Sequence, residues 1–227
     1  HSLVYQESCA GFVLKHCDPS QLFPPSDYQT NIVENPLQKG SRKMAIVQLV
    51  RHGKAAAGFG AHPDPGLDDL GRRQAAAVAT MLDTQHSERP ELLSSPMARA
   101  FETAQALADV WQVPIDLEPR VAEIPSPTED LEARAAWLSQ AMAGNWSDLE
   151  ASVQQWRQEL AEFLLSCDRD CIIFSHYVAI NAAVGAAMND DRMRIFGPDN
   201  CSVTTLSNSE GKLSVVELGR VADTHIN

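Results

Sequence analysis

The chain has 227 residues, of which 44% are hydrophobic and 21% charged, with a formal net charge of -12. These values suit one large globular domain, or one domain with an appendage, and allow a sizeable core. The acidic balance argues against nucleic-acid binding, which leaves a basic footprint, and against docking on an anionic membrane. An anionic substrate would therefore need a local cluster of cations.

Residues 1–43 hold Pro19, Pro24, Pro25, Pro36 and Gly40 with little periodicity, and their charges cancel. Met44 stands just before the first strong strand. The expectation is that Met44 is the natural start, with 1–43 a poorly structured extension or upstream translation without a fold and one domain over 44–227; the alternative is an arm that packs on that domain. Glu7, Lys15, His16 and Asp18 interrupt any signal-type apolar run. No stretch approaches the ~20 apolar residues that span a bilayer.

From Met44 onward strands alternate with helices. Residues 44–50 are almost continuously apolar, as in a strand buried on both faces. Residues 70–85 read as a helix with Ala75, Val78, Ala79 and Leu82 on one face, and Asp68 and Asp69 favour its N-terminus. A short strand over 91–94 follows. Ser95-Pro96 reads as a cap with proline at the first helical position, opening a helix that runs to about Trp111. A third strand is expected over 113–117. Helices are expected over 129–143 and 148–165, the second started by a capping box at Ser147-Asp148-Leu149-Glu150. Cys171-Ile172-Ile173-Phe174 is another buried strand, and 177–188 a packed helix. Residues 203–206 and 213–218 pair as a hairpin around Asn208-Ser209-Glu210-Gly211.

This alternation predicts an α/β fold: three αβα layers, a mainly parallel sheet, and a helical insertion over the C-terminal ends of the strands. Five cysteines, Cys9, Cys17, Cys167, Cys171 and Cys201, are too few and too scattered for a disulfide framework, so a reducing, cytoplasmic setting is expected. Cys167-x-x-x-Cys171 has no second pair, and small core residues at a strand start are a simpler reading than metal ligands.

Three motifs stand at the ends of predicted strands: Arg51-His52-Gly53, Ser94 to Arg99, and Ser175-His176. In open α/β sheets ligands bind beyond the carboxyl ends of the strands. The pattern would gather two arginines and two histidines at one sheet edge, near helix N-termini that offer backbone N–H donors. That is a phosphate site in physical terms, since arginine forks match phosphate oxygens. A neutral imidazole can attack phosphorus, and neighbouring arginines help keep it neutral. Gly53 would leave room beside the phosphoryl group, and the second histidine would donate to its oxygens. Any one of these residues alone is more often a packed or surface side chain; their conjunction at three strand ends carries the reading.

The ordered set resembles the histidine phosphatase superfamily, also called the phosphoglycerate mutase-like family. Leu49-Val50-Arg51-His52-Gly53 looks like its nucleophile motif, and residues 64–75 are similar to the segment that follows. Residues 95–104 look like its second arginine motif, Phe174-Ser175-His176 like its second histidine motif, and residues 200–204 like its late strand. The resemblance implies a phosphohistidine on His52, with the phosphoryl group bound by Arg51, Arg99 and His176. It also implies a carboxylic acid that protonates the leaving oxygen and then activates water. Glu123, in Arg120-Val121-Ala122-Glu123-Ile124, matches that acid; Glu118 and Glu129 are its rivals. No cofactor or metal is implied.

Some residues depart from the family pattern. Lys54 follows the first motif where an acidic or polar residue is common, residues 55–60 replace the longer asparagine-containing extension of the mutases, and Tyr177 stands where glycine is common. The expectation is a metal-independent phosphomonoesterase acting on a small phosphorylated metabolite or a phosphoprotein. The alternatives are a mutase-type phosphotransferase, a phospho-ligand binding module without turnover, and a metal enzyme using His52, His176 and Glu123. No dinucleotide fingerprint or Gly-Lys-Ser/Thr loop is present.

Overall fold

A computed structural model describes residues 44–58 and 61–222. The expected extension over 1–43, with Cys9 and Cys17, lies outside the described residues.

Six strands form one sheet in the order β3-β2-β4-β1-β5-β6. They are β1 (Ala45–Arg51), β2 (Glu91–Ser94), β3 (Asp116–Leu117), β4 (Cys171–Ser175), β5 (Val203–Ser209) and β6 (Lys212–Glu217). Strands β3, β2, β4 and β1 are mutually parallel, whereas β5 runs antiparallel to both β1 and β6. Helices α1 (Asp69–Gln85) and α2 (Ala98–Trp111) bury Val78, Leu82, Leu107 and Trp111 against Val50, Leu92, Ile172 and Phe174. The other face carries α4 (Ala151–Ser166) and α5 (Tyr177–Met188), with Leu160, Leu164, Ile180 and Val184 against Val47, Leu49 and Ile173. Strand β4 lies between both layers, so its five residues are all buried. Truncating Phe174 there to alanine would cost roughly 3–5 kcal/mol. Helix α3 (Leu131–Ala141) is only half-buried, resting Trp137 and Leu138 on the second core.

The topology singles out one place at the sheet edge. From β1 the chain crosses to β2 over the α1 face; from β4 it crosses to β5 over the α5 face. These crossovers diverge from adjacent strands, which is the switch point where α/β sheets bind ligands.

Several local expectations shift. Helix α2 begins at Ala98 rather than at Pro96, because the Ser95 hydroxyl accepts from the Met97 N–H at 3.2 Å and holds a turn ahead of the helix. The Ala98 N–H is instead taken by the Asp64 carboxylate, at 3.0 and 3.2 Å. The capping box is formed by Asn145 and Asp148 around a one-turn 3-10 helix, Trp146–Asp148, and α4 starts only at Ala151. The hairpin turn is narrower than predicted. Glu210 and Gly211, both at positive φ, make a two-residue turn, and β5 continues through Asn208. Asn208 is buried. Its amide accepts from Ala45 N–H and donates to the Leu164 and Cys167 carbonyls, satisfying three backbone groups.

Cys167, Cys171 and Cys201 are free thiols, with Cys171 and Cys201 buried. Among the described residues no group of His, Cys, Asp and Glu is arranged to hold a metal ion, and no helix is long and apolar enough to cross a membrane.

Candidate active site

Strand register decides what meets at this edge. Arg51 pairs with Ser175 across the parallel β1–β4 ladder, so the residues that follow, His52 and His176, leave the sheet side by side. Their ring centroids are 5.2 Å apart. Ser94 pairs with Phe174 across β2–β4, which places Ser95 beside the same edge. The Ser95 Oγ lies 2.8 Å from His176 Nε2. Arg99 then reaches back from the first turn of α2, and its Nε donates to His52 Nε2 at 3.1 Å.

The protonation of His52 follows from its partners. Nδ1 lies 2.7 Å from the Gly53 carbonyl, which only accepts, so Nδ1 carries the proton. Nε2 accepts from Arg99 and therefore presents a lone pair. Desolvation first, then Arg99 and Arg51, pull the His52 pKa from 6.5 to about 3. The ring is thus neutral across the physiological range. Asn200 adds a fixed point behind it, donating from Nδ2 to the His52 carbonyl at 2.8 Å. His176 is pushed well below 6.5 by burial first, then by His52, Arg99 and Arg51.

The two arginines are held differently. Arg51 donates to the Pro198 carbonyl at 2.8 Å and lies 5.1 Å over the Tyr177 ring. Arg99 is buried, with Nη1 3.7 Å from the Asp64 carboxylate. Burial is the largest influence on both, lowering their pKa, while Glu123 is the first group to pull each back up.

Glu123 reaches the same edge from the insertion. Its segment is anchored by the buried side chains of Val121 and Ile124 on either side. Ser175 donates to the Val121 carbonyl at 2.7 Å, tying that segment to the end of β4. The Glu123 Oε1 accepts from the N–H groups of Ile124 and Val178, each at 3.3 Å. Desolvation nevertheless raises its pKa, against the opposing pull of Arg99, these amides and Arg51.

The five residues singled out in the sequence therefore converge on one sheet edge, which combines a neutral imidazole with a free lone pair, one buried and one half-buried arginine, and a carboxyl group whose pKa burial raises. The family model of the histidine phosphatase superfamily (branch 1) matches residues 47–220. The chain belongs to this superfamily. Solved structures with the same fold include a protein described as mycobacterial hydrolase 1, with TM-score 0.59 and 23% identity, covering 79% of this chain and 100% of that one. A mycobacterial glucosyl-3-phosphoglycerate phosphatase superposes with TM-score 0.55 at 23% identity, over 81% of this chain and 100% of its own. A phosphoserine phosphatase from Entamoeba histolytica, in complex with 3-phosphoglyceric acid, gives TM-score 0.59 at 21% identity, over 78% and 98%. At these identities the likeness is one of fold. No curated protein sequence matches the chain significantly.

Within this histidine phosphatase fold the rival acids are engaged differently. Glu118 accepts from Arg120 Nε at 2.7 Å and Nη2 at 2.6 Å, which holds its carboxyl below the usual range. Glu129 is exposed in the turn before α3. Gly53 also has a packing reason to be glycine. A Cβ there would lie 2.6 Å from the Gly71 carbonyl oxygen, and one on Gly71 would lie 2.1 Å from that of Lys54. The pair lets α1 press directly on the loop after β1. Lys54 turns its Nζ to Asp68, the N-cap of α1, at 3.1 Å. The Tyr177 hydroxyl donates to the Phe196 carbonyl at 3.2 Å, and its ring lies against Arg51.

Two residues of the site were assigned no part in it from sequence. Asp64 meets Ala98 and Arg99 across more than thirty residues, which no local pattern encodes. Asn200 lay within the late-strand resemblance but showed no sign of bracing His52.

Proposed function

We propose that this chain is a metal-independent phosphatase that hydrolyses phosphomonoesters through a phosphohistidine on His52, with Glu123 as general acid and base. The observation that carries the reading is the state of His52: Nδ1–H is locked on the Gly53 carbonyl, and the Nε2 lone pair faces Arg99 in a site that disfavours the imidazolium. A nitrogen so prepared is a nucleophile rather than a structural donor.

In this mechanism the phosphoryl oxygens displace Arg99 from Nε2 and are bound by Arg51, Arg99 and His176. Nε2 attacks phosphorus, the ester P–O bond breaks, and the leaving oxygen takes the Glu123 proton. The Glu123 carboxylate then removes a proton from water, the resulting P–O bond forms as the P–N bond breaks, and inorganic phosphate leaves. Burial raises the Glu123 pKa in the direction the acid role requires. Solved relatives described as phosphatases of glucosyl-3-phosphoglycerate and of phosphoserine support a small phosphorylated metabolite as substrate.

The test is phosphate release from a panel of phosphomonoesters in EDTA, with trapping of acid-labile phosphoenzyme. Turnover is expected, and His52→Ala is expected to abolish both signals. Undiminished hydrolysis by that variant would refute the nucleophile assignment, and loss of activity to the chelator would refute metal independence.

A further inference from the structure

We propose that Ser95 is a positioning residue that fixes the proton of His176 on Nδ1, by donating its hydroxyl to Nε2. The proposal rests on the phosphatase reading only for its catalytic consequence; the hydrogen-bond assignment stands on geometry.

Ser95 and His176 are both fully buried. Among the described residues, Ser95 Oγ has two partners: the Met97 N–H, which donates to it at 3.2 Å, and His176 Nε2, at 2.8 Å. An amide N–H can only donate, so one lone pair of Oγ is taken. The hydroxyl proton then needs an acceptor, and Nε2 is the one within reach. If Nε2 carried the imidazole proton instead, Oγ would accept twice and a buried O–H would be orphaned. The neutral ring would also turn a bare lone pair, at Nδ1, to its unpartnered side.

Nδ1 is buried with no partner among the described residues, on a ring 5.2 Å from that of His52. With Ser95 donating to Nε2, Nδ1 becomes an N–H donor available to a phosphoryl oxygen; with the other tautomer it would repel one. The two histidines thus carry their protons on the same nitrogen for opposite purposes. In His52 the Nδ1–H is spent on the Gly53 carbonyl and Nε2 is left to attack. In His176 the Nε2 side is occupied by Ser95 and the Nδ1–H is left to bind.

The experiment is a long-range proton–nitrogen correlation spectrum of the histidine-labelled full chain at neutral pH, with His176 assigned by its loss in His176→Gln. Wild type is expected to show His176 as the Nδ1–H tautomer. Ser95→Ala is expected to populate the Nε2–H form, and Ser95→Thr, which keeps a hydroxyl, to restore the wild-type pattern. An Nε2–H tautomer in wild type would overturn the proposal even if every variant failed to fold, as would an unchanged tautomer in Ser95→Ala. In turnover, Ser95→Ala is expected to lower kcat on the order of 10- to 100-fold, somewhat less than outright removal of a transition-state donor. If the tautomer responds to Ser95 but no phosphomonoester is hydrolysed, the functional reading falls and the Ser95 assignment stands. Hydrolysis with a tautomer indifferent to Ser95 would give the reverse.

Discussion

Acidification should destabilise this protein through its buried histidines, and the size of the effect follows from the site. The His52 pKa is lowered from 6.5 to about 3, by desolvation first and then by Arg99 and Arg51. Between these values the unfolded chain binds a proton that the native state refuses, so stability falls as pH falls. One such group contributes a slope of about 1.4 kcal/mol per pH unit once the pH is well below 6.5. Going from pH 6 to pH 4, His52 alone should remove roughly 2 kcal/mol, a sizeable part of a typical ~5–15 kcal/mol stability. His176 shifts in the same direction. Glu123 has the opposite sign: its pKa is raised, so its contribution is fully present below its unfolded value and is lost as pH rises through the native one. Urea unfolding followed by tryptophan fluorescence, at steps from pH 4 to 6.5, would compare wild type with His52→Gln. The variant should lose less stability per pH unit than wild type, by about 1 kcal/mol. Parallel pH dependences would refute the claim that His52 is buried neutral, and with it the prepared nucleophile. The kinetic counterpart is that kcat/KM should show no acid-side fall near pH 6.5.

Glu123→Gln should slow hydrolysis of alkyl phosphates on the order of 10²- to 10⁴-fold and that of p-nitrophenyl phosphate much less. Glu118→Gln, which breaks only the pairing with Arg120, should leave the dependence on leaving group unchanged. Equal losses for good and poor leaving groups in Glu123→Gln would count against the acid role. Asp64→Ala should cost about 1 kcal/mol in denaturant unfolding by uncapping α2. Asp64→Asn, which keeps an acceptor for the Ala98 N–H, should recover most of it; equal losses would contradict the capping role.

The sequence alone determined the order of the elements and the placement of the chemistry. A strand buried on both faces must be continuously apolar, so β1 and β4 announce themselves, and a parallel sheet aligns the ends of such strands. Arg51, His52, Arg99 and His176 were legible for that reason, as residues immediately beyond strands or in the following helical turn. Glu123 came from the resemblance, since nothing in an isolated loop glutamate distinguishes it from surface. The start of α2 was misread because a local Ser-Pro signal competed with a carboxylate from a distant loop, and the turn at Asn208 because its amide finds backbone partners that only packing supplies. Tertiary structure alone decided the protonation of the site. Whether His52 is a base or a cation depends on how much water surrounds it and on which way a guanidinium points. Which nitrogen of each ring carries the proton depends on a single carbonyl or hydroxyl brought within 3 Å. Desolvation and hydrogen-bond direction belong to the three-dimensional environment, and no spacing of residues along the chain encodes them.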